Sequence, residues 1–337
     1  MKRQPRQVWL FVLPFLAGFL FLTLVPMAAS LALSFVRTDG NLSLEAVTWV
    51  GLEHYRDALE VDGTAALTES DPWYFGVLGG RPADARFYRA LYNSLVFTVF
   101  TVSLGLCVSL AVALLLNRRA RGMSVVRTIV YLPHVLGGVA AVMIWSWLFN
   151  PRFGWINQCL RLVYDGLDPL VMWMTGNGTG DWPVPAWLHS PLWCKPAVII
   201  MSIWTMGPAM LVFLAAIRRV PPDLHQAARL DGAGAWARFR SITLPQITPA
   251  ILFNLVFSCI FSMQAFNESY LLQNSSQRDG LLFYVRYIYE TAFESPYRIG
   301  YGSALAWILF AILLVVILPL VWTSRKWVHD ALSEGSR

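Results

Sequence analysis

Residues 223–249 read DLHQAARLDGAGAWARFRSITLPQITP, a polar stretch punctuated by Gly and Ala. Two long apolar runs flank this stretch, 196–217 before it and 250–272 after it. Each run has about 20 residues, the length that a helix needs to cross the hydrocarbon core of a bilayer. The stretch is therefore predicted to form a loop between two membrane-spanning helices.

The whole chain has the composition of a membrane protein. It contains 337 residues, of which 56% are hydrophobic and 14% are charged, which is too apolar for an ordinary soluble domain. Apolar runs of spanning length occur at six places. These predicted spans are about 8–35, 90–116, 128–149, 196–217, 250–272 and 301–323. We therefore predict an all-α membrane protein with six transmembrane helices, which places both termini on one side.

The distribution of Lys and Arg predicts the orientation of the chain. One set of connecting segments carries 15 Lys and Arg in 59 residues, and the other set carries 11 in 127. The basic set consists of 1–7, 117–127, 218–244 and 324–337. The other set consists of the loops 37–89, 150–195 and 273–300. Because basic residues favour the cytoplasmic side, both termini are expected to be cytoplasmic, and the net charge of +6 does not require nucleic acid.

The N-terminal segment MKRQPRQVWLFVLPFLAGFLFLTLVPMAAS has features of a secretory signal: a basic start, an apolar stretch and small residues. The apolar run continues to Phe35, well beyond the roughly 7 to 15 residues of a signal core. We expect a retained first helix, with a cleaved signal as the alternative.

The predicted external loops are long enough to contact a partner. Residues 37–89 are expected to form a small structured cap. Residues 150–195 are rich in Trp, Pro and Gly, which fits either an aromatic belt at the membrane surface or a docking surface. This loop also contains Cys159 and Cys194, and a disulfide between them stays open because the sequence does not give its geometry.

Proline interrupts several of the predicted spans, at Pro14, Pro26, Pro133 and Pro208. A proline in a membrane helix frees backbone carbonyls, which only protein or water can satisfy. The prolines favour a helical bundle around a polar path. The alternative is that they only bend the helices so that these pack together.

The motifs of the common enzyme classes are absent from the sequence. There is no G-x-x-x-x-G-K-[ST] sequence, so this chain has no Walker A loop with which to bind ATP. The motifs H-E-x-x-H, C-x-x-C and G-x-S-x-G are also absent. The chain is therefore not expected to be an enzyme. Glu268 is the one carboxylate within a predicted span, which is a weak basis for proton or sodium coupling. Energy for transport is expected to come from outside the chain.

The stretch 223–249 has the pattern of two short helices joined by a turn. Asp223 is a candidate N-cap of the first helix, and apolar residues follow at spacings of three and four. Asp231 and Gly232 are predicted to break this helix before a second amphipathic segment. By its pattern alone, the hairpin either docks onto a partner or packs against its own bundle.

The same stretch resembles the EAA loop of permease subunits of bacterial ABC importers. That loop has the form E-A-A, three residues, Gly, nine residues and then I-x-L-P. In this chain the corresponding residues are Gln226-Ala227-Ala228, Gly232 and 242–245 (ITLP), with both spacings kept. The family's leading Glu is Gln226 here, which puts in doubt an ion pair with the ATPase.

Other stretches resemble the carbohydrate-type permeases of the maltose and glycerol-phosphate systems. They include LPFLAGFLFLTLVPMAASLALSF, WVGLEHYRDAL, FYRALYNSLVFT, RGMSVVRTIVYLPHVLGGVAAVMIWSWLFNPRFGWIN and MQAFNESYLL. The resemblance extends over residues 8–323. Residues 60–85 and 160–192 look like insertions for which the family suggests no role.

The resemblance implies a type I ABC importer permease fold in residues 8–323, in the cell inner (cytoplasmic) membrane. It implies four kinds of partner: a second permease subunit in a heterodimer, two ATP-binding subunits, an extracytoplasmic solute-binding protein and the lipid bilayer. ATP and Mg would bind to the ATPase subunits, and this chain would carry no cofactor or metal. The cytoplasmic loop 218–248 would transmit force from those subunits. The residues assigned to this coupling are Gln226, Ala227, Ala228, Leu230, Asp231, Gly232, Trp236 and Phe239.

A carbohydrate pathway is expected near the middle of the membrane, lined by the fourth and fifth spans. Sugars bind through aromatic faces and hydrogen-bonding side chains. The candidate residues are Trp204, Thr205, Gly207, Ser262, Gln264, Asn267 and Glu268, and interhelical packing is the alternative role of each. No Arg lies in a predicted span, which disfavours a phosphorylated solute. An ion-coupled secondary transporter or channel is the alternative function.

Overall fold

The computed structural model describes residues 5–38, 47–64, 71–118, 120–175, 184–274, 277 and 279–328. The described chain is mainly helical. Its helices are α1 Pro5–Phe19, α2 Val25–Leu33, α3 Glu53–Leu59, α4 Trp73–Leu78, α5 Ala85–Leu116, α6 Met123–Val135, α7 Gly138–Leu148, α8 Trp155–Thr175, α9 Cys194–Trp204, α10 Gly207–Arg219, α11 Pro222–Leu230, α12 Ala235–Arg238, α13 Leu244–Gln246, α14 Thr248–Met263, α15 Asn267–Leu271, α16 Tyr284–Phe293 and α17 Ile299–Trp327. π-Helical turns at Leu20–Leu24 and Phe239–Thr243 follow α1 and α12.

Among the residues that the structure describes, four short strands form two small antiparallel sheets. The strands are β1 Val36–Thr38, β2 Val47–Trp49, β3 Val61–Asp62 and β4 Arg81–Pro82. In the first sheet Val36 lies opposite Trp49, and in the second Val61 lies opposite Pro82. Both sheets belong to the predicted external loop 37–89. The parts of this loop at 39–46 and 65–70 lie outside the described residues.

Long apolar helices dominate the described chain. Four candidate spans meet the length and composition needed to cross a membrane, namely Val12–Leu33, Ala85–Leu116, Thr248–Leu271 and Ile299–Trp327. Two further segments meet it only as bent pairs: α6 with α7, at an angle of 98°, and α9 with α10, at 48°. Among the described residues there are thus four to six candidate spans. Six membrane crossings and cytoplasmic termini stay predictions.

The chain divides into two compact units, the first made of residues 1–88 and 285–312. In this unit, Asp84 is held by three donors. Its Oδ1 accepts the backbone N–H of Phe87 at 2.9 Å, and its Oδ2 accepts the hydroxyls of Tyr287 at 2.6 Å and Tyr301 at 2.5 Å. The start of α5 is thereby tied to α16 and α17.

The second unit consists of residues 89–284 and 313–337, and hydrophobic cores form around two of its described helices. One core lies around α9, where Phe97 stacks on Phe283 with ring centroids 4.8 Å apart. The other core lies around α10, where Phe213 and Met210 are buried with Ile247. These cores hold α10 in place, and the loop 218–248 follows directly from its end.

Within the predicted external loop 150–195, α8 is a 21-residue helix. Its first turns pack on the core through Ile156 and Leu160, and buried Asn157 accepts the indole N–H of Trp187 at 2.7 Å. The turn TGNGTGD expected in this loop falls mostly on 176–183, outside the described residues. Cys159 is exposed and Cys194 is buried, and both are free thiols. The two cysteines therefore do not form a disulfide in this structure.

Candidate functional site

The second unit contains an open cavity of about 590 Å³ beside two helix breaks. The first break separates α9 from α10, and its residues Thr205 and Met206 line the cavity. The second separates α14 from α15, and Gln264, Ala265 and Phe266 line the cavity there. Broken helices leave backbone groups without intrahelical partners, which is tolerated inside a membrane only where protein or a water-filled cavity meets them.

The cavity wall combines aromatic faces with short polar side chains. The aromatic lining residues are Phe97, Phe253, Phe257, Phe261 and Phe266. The polar lining residues are Thr101, His134, Ser202, Thr205, Asn254, Ser258, Ser262, Gln264, Asn267 and Glu268. Among these described lining residues there is one carboxylate and no Lys or Arg. Such a wall suits an uncharged solute with many hydroxyl groups, because rings cover its C–H faces and amides or hydroxyls pair with its O–H groups.

Several of the hydroxyls on this wall are already used within their helices. Thr205 Oγ1 donates to the Ser202 carbonyl at 2.9 Å, and Ser262 Oγ donates to the Ser258 carbonyl at 2.7 Å. Thr101 differs, because its buried hydroxyl has no hydrogen-bond partner among the described residues. A buried hydroxyl without a partner carries a free-energy cost that a ligand could remove. Thr101 is thus a buried hydroxyl beside the cavity that the described residues leave unsatisfied.

Five of the seven candidate pathway residues lie on this wall, namely Thr205, Ser262, Gln264, Asn267 and Glu268. Trp204 and Gly207 do not line it. Trp204 packs edge-to-face on Trp145, with ring centroids 5.7 Å apart. Gly207 is buried against α6, where an added Cβ would lie 3.0 Å from the Tyr131 Cα. Trp204 and Gly207 lie on either side of the 48° bend between α9 and α10. Each of them packs against a neighbouring helix and does not line the cavity.

The sequence-based prediction missed five polar lining residues, namely Thr101, His134, Ser202, Asn254 and Ser258. Thr101 and His134 lie on α5 and α6, outside the two spans from which a lining was expected. Asn254 lies within the fifth predicted span, and its amide donates to the Ala209 carbonyl at 3.3 Å. An amide in an otherwise apolar run was the one available signal for it.

The loop 218–248 folds as a helical hairpin, as its pattern predicts. Helix α11 ends at Leu230, and Gly232 has φ +78°, a left-handed conformation that glycine adopts without a steric penalty. The backbone N–H of Ala233 then donates to the Ala228 carbonyl at 2.8 Å. The prediction that Asp223 caps α11 is wrong. Proline at 222 starts the helix, Pro221 occupies the cap position and no side chain caps it, so Asp223 lies within the first turn.

The hairpin exposes large apolar side chains. Leu230 is 90% exposed and Trp236 is 70% exposed. The Trp236 ring packs on Phe239, with centroids 5.4 Å apart. Ala227 and Asp231 are also exposed, and Gln226 lines a second cavity on the inner side of the hairpin. These residues form a surface around the turn that the described part of the chain leaves open.

Bent and broken apolar helices around a cavity of aromatic and hydroxyl groups are typical of membrane transport proteins. Comparison with known proteins gives the family. Residues 105–324 match the family described as "Binding-protein-dependent transport system inner membrane component", and the chain belongs to this family. It is therefore an ABC transporter permease, a membrane subunit with several apolar helices and not the catalytic subunit.

Relatives and solved structures agree with this assignment. The chain is 33% identical to the probable ABC transporter permease YesP of Bacillus subtilis (strain 168), covering 95% of this chain and 90% of the relative. It is 26% identical to the probable starch degradation products transport system permease AmyD of Thermoanaerobacterium thermosulfurigenes, over 94% of both chains. The chain has the same fold as one chain of a bacterial alginate ABC transporter, and the TM-score between the two is 0.69. That transporter was solved in complex with an alginate pentasaccharide-bound periplasmic protein. That match is 22% identical and covers 95% of this chain and 94% of the other.

Proposed function

We propose that this permease forms half of the translocation pathway of an ATP-driven importer for a carbohydrate-type solute. The observation that carries the proposal is the 590 Å³ cavity, whose described wall has five phenylalanine rings, many neutral polar groups and no basic residue except His134. The names of the relatives support the same class, since one is named for starch degradation products and a structural relative for alginate.

The energy is proposed to arrive through the hairpin at 223–245. Closure of an ATPase dimer has to be transmitted as force, and a compact helical turn seated in a groove on the ATPase provides a rigid link. Leu230 and Trp236 are the proposed anchors, because they are the most exposed large apolar side chains of the hairpin. With Gln226 in place of Glu, contact with the ATPase depends on apolar shape more than on charge.

The proposed assembly contains a second permease subunit as a heterodimer partner, two ATP-binding subunits and an extracytoplasmic solute-binding protein. ATP and Mg bind to the ATPase subunits in this scheme, and this chain supplies no catalytic group. The match to a transporter solved with its periplasmic protein supports the external partner. The alternative, an ion-coupled carrier, has less support, since Glu268 is the one carboxylate on the described cavity wall.

Alanine substitutions in the hairpin test the coupling proposal. In the full reconstituted complex, Leu230→Ala with Trp236→Ala is expected to lower solute-stimulated ATPase activity and transport at least tenfold. Both side chains are exposed, so their truncation should leave the fold of this chain intact. The matched control is Val315→Ala, which shortens an apolar side chain that is 72% exposed on α17 and far from the hairpin in sequence.

The control is expected to transport at the wild-type rate. Normal coupling in the double variant, with the subunit inserted at wild-type levels, would contradict the assignment of the hairpin.

A further inference from the structure

A second cavity, of about 890 Å³, lies on the inner side of the hairpin. Its wall includes Leu114 of α5, Ile217 and Arg218 of α10, His225 and Arg229 of α11, and Arg238 of α12. None of its lining residues lines the 590 Å³ cavity described above, the aromatic cavity. The cavity is thus built where two candidate membrane helices end and the hairpin begins.

The lining of this cavity is strongly basic. Three arginines and one histidine line it, and no Asp or Glu is among its described lining residues. No described carboxylate lies within 4.0 Å of Arg218, Arg229 or Arg238. Arg238 Nη1 donates to the Ala233 carbonyl at 2.6 Å, which leaves its other N–H groups available. Like charges around one cavity repel one another, so an anion bound between them is favoured.

Apolar residues also line the cavity. Leu114 and Ile217 lie in the last turns of α5 and α10, and Ile217 is 7% exposed. Val220 and Phe239 also line the cavity. A lining that combines basic and apolar residues suits a ligand that joins an anionic head to a hydrocarbon part. A free inorganic anion would use the basic residues and leave the apolar ones exposed to water.

We propose that the cavity binds an anionic phospholipid, with its phosphate between Arg218 and Arg229 and its first acyl carbons against Leu114 and Ile217. Guanidinium groups pair with phosphate oxygens through charge-assisted hydrogen bonds. The bound lipid connects the end of α10 to α11 and so stiffens the base of the hairpin. This site depends on neither the chemistry of the solute nor the aromatic cavity.

The experiment compares two double variants that remove the same charge. Arg218→Gln with Arg229→Gln removes two arginines from the cavity. Arg219→Gln with Arg240→Gln is the control, since both of these arginines are exposed, belong to the same cytoplasmic segment and do not line the cavity. Each full complex is purified from membranes, and retained phosphatidylglycerol is titrated by native mass spectrometry in phosphatidylcholine nanodiscs.

The cavity variant is expected to bind phosphatidylglycerol about 30-fold more weakly than wild type, since each basic residue near anionic lipid contributes about fivefold. The control variant should retain wild-type affinity. Equal loss in both variants would indicate general surface charge and overturn the site, as would unchanged binding in the cavity variant.

Two further outcomes concern the identity of the occupant. Displacement of the lipid by millimolar inorganic phosphate would show that a free anion fills the site and would overturn the lipid assignment. Dissociation of the ATPase subunits from the cavity variant, with lipid binding unchanged, would assign the wall to an acidic segment of that partner. If the double variant does not assemble, the single Arg229→Gln variant is expected to show the fivefold loss, and its absence contradicts the proposal.

Discussion

At the scale of single residues, Gly232 is the position on which the hairpin turn depends. Its φ of +78° is a left-handed conformation, and a Cβ added there would meet nothing within 4 Å. A substitution at this position therefore acts through backbone strain and not through a clash. β-Branched residues are the least tolerant of this conformation, whereas Asn adopts it more readily than other residues with a side chain.

Gly232→Val is expected to distort the turn and reduce solute-stimulated ATPase activity of the complex at least fivefold, while the subunit still inserts. Gly232→Asn is the matched control and should retain most of the coupling, because Asn tolerates positive φ. Both are measured in proteoliposomes with the partner subunits. Equal activity of the two variants would show that the geometry of the turn does not matter for coupling.

At the scale of elements, the close approach of α10 to α6 depends on Gly207. An added Cβ would lie 3.0 Å from the Tyr131 Cα and 3.4 Å from its carbonyl oxygen, so backbone would have to move. Gly207→Val is expected to lower the free energy of unfolding by about 2 kcal/mol, as overpacking does in a filled core. Thermal unfolding in detergent measures the loss.

The control for this change is Gly166→Val, in α8. A Cβ added at Gly166 meets nothing within 4 Å, and this glycine is also helical and is exposed. A similar loss of stability in both variants would attribute the effect to helix propensity and not to the contact with α6.

In the first unit, Asp84 connects the start of α5 to α16 through the Tyr287 hydroxyl, 2.6 Å away. Burial, together with the neighbouring Asp84 carboxylate, raises the pKa of Tyr287 above its ordinary value. The folded state thus keeps this proton when the unfolded chain has lost it. The stabilisation is complete below the unfolded pKa of about 10 and is lost as the pH rises above it.

Tyr287→Phe is expected to remove about 2 kcal/mol of stability at pH 7, the contribution of a hydrogen bond to a charged group. Between pH 9 and pH 11 the wild type should lose stability more steeply than the variant, because the variant lacks the titrating hydroxyl. Melting temperatures across this range test both statements. Parallel pH profiles would show that Tyr287 does not contribute to the alkaline transition.

At the scale of the whole molecule, the proposed function requires partners. The purified chain alone in liposomes is expected to move no solute, either with a proton or sodium gradient or with ATP. Addition of the second permease, the ATPase subunits and the solute-binding protein should restore ATP-dependent uptake. Gradient-driven uptake by the chain alone would favour the ion-coupled alternative.

Parts of the fold and of the candidate site could be predicted from the sequence because they depend on local patterns. The break after α11 follows from Asp231-Gly232, and glycine is the residue that ends a helix in a left-handed conformation. The cap was predicted incorrectly, since Asp223 has the chemistry of an N-cap but Pro222 starts the helix one residue earlier. Proline is favoured in the first turn of a helix, where its missing N–H has no intrahelical acceptor.

The sequence by itself determined the membrane class, the family and the position of the hairpin, since apolar run length, charge and motif spacing are properties of the chain. Only the tertiary structure decided which polar residues face the cavity. Thr101, His134 and Asn254 come from three different helices and line the same cavity, whereas Trp204 and Gly207, near Thr205 in sequence, contact other helices. The physical reason is that a break of two residues between α9 and α10 changes the direction of the chain, and the direction of each side chain then depends on packing that no local pattern encodes.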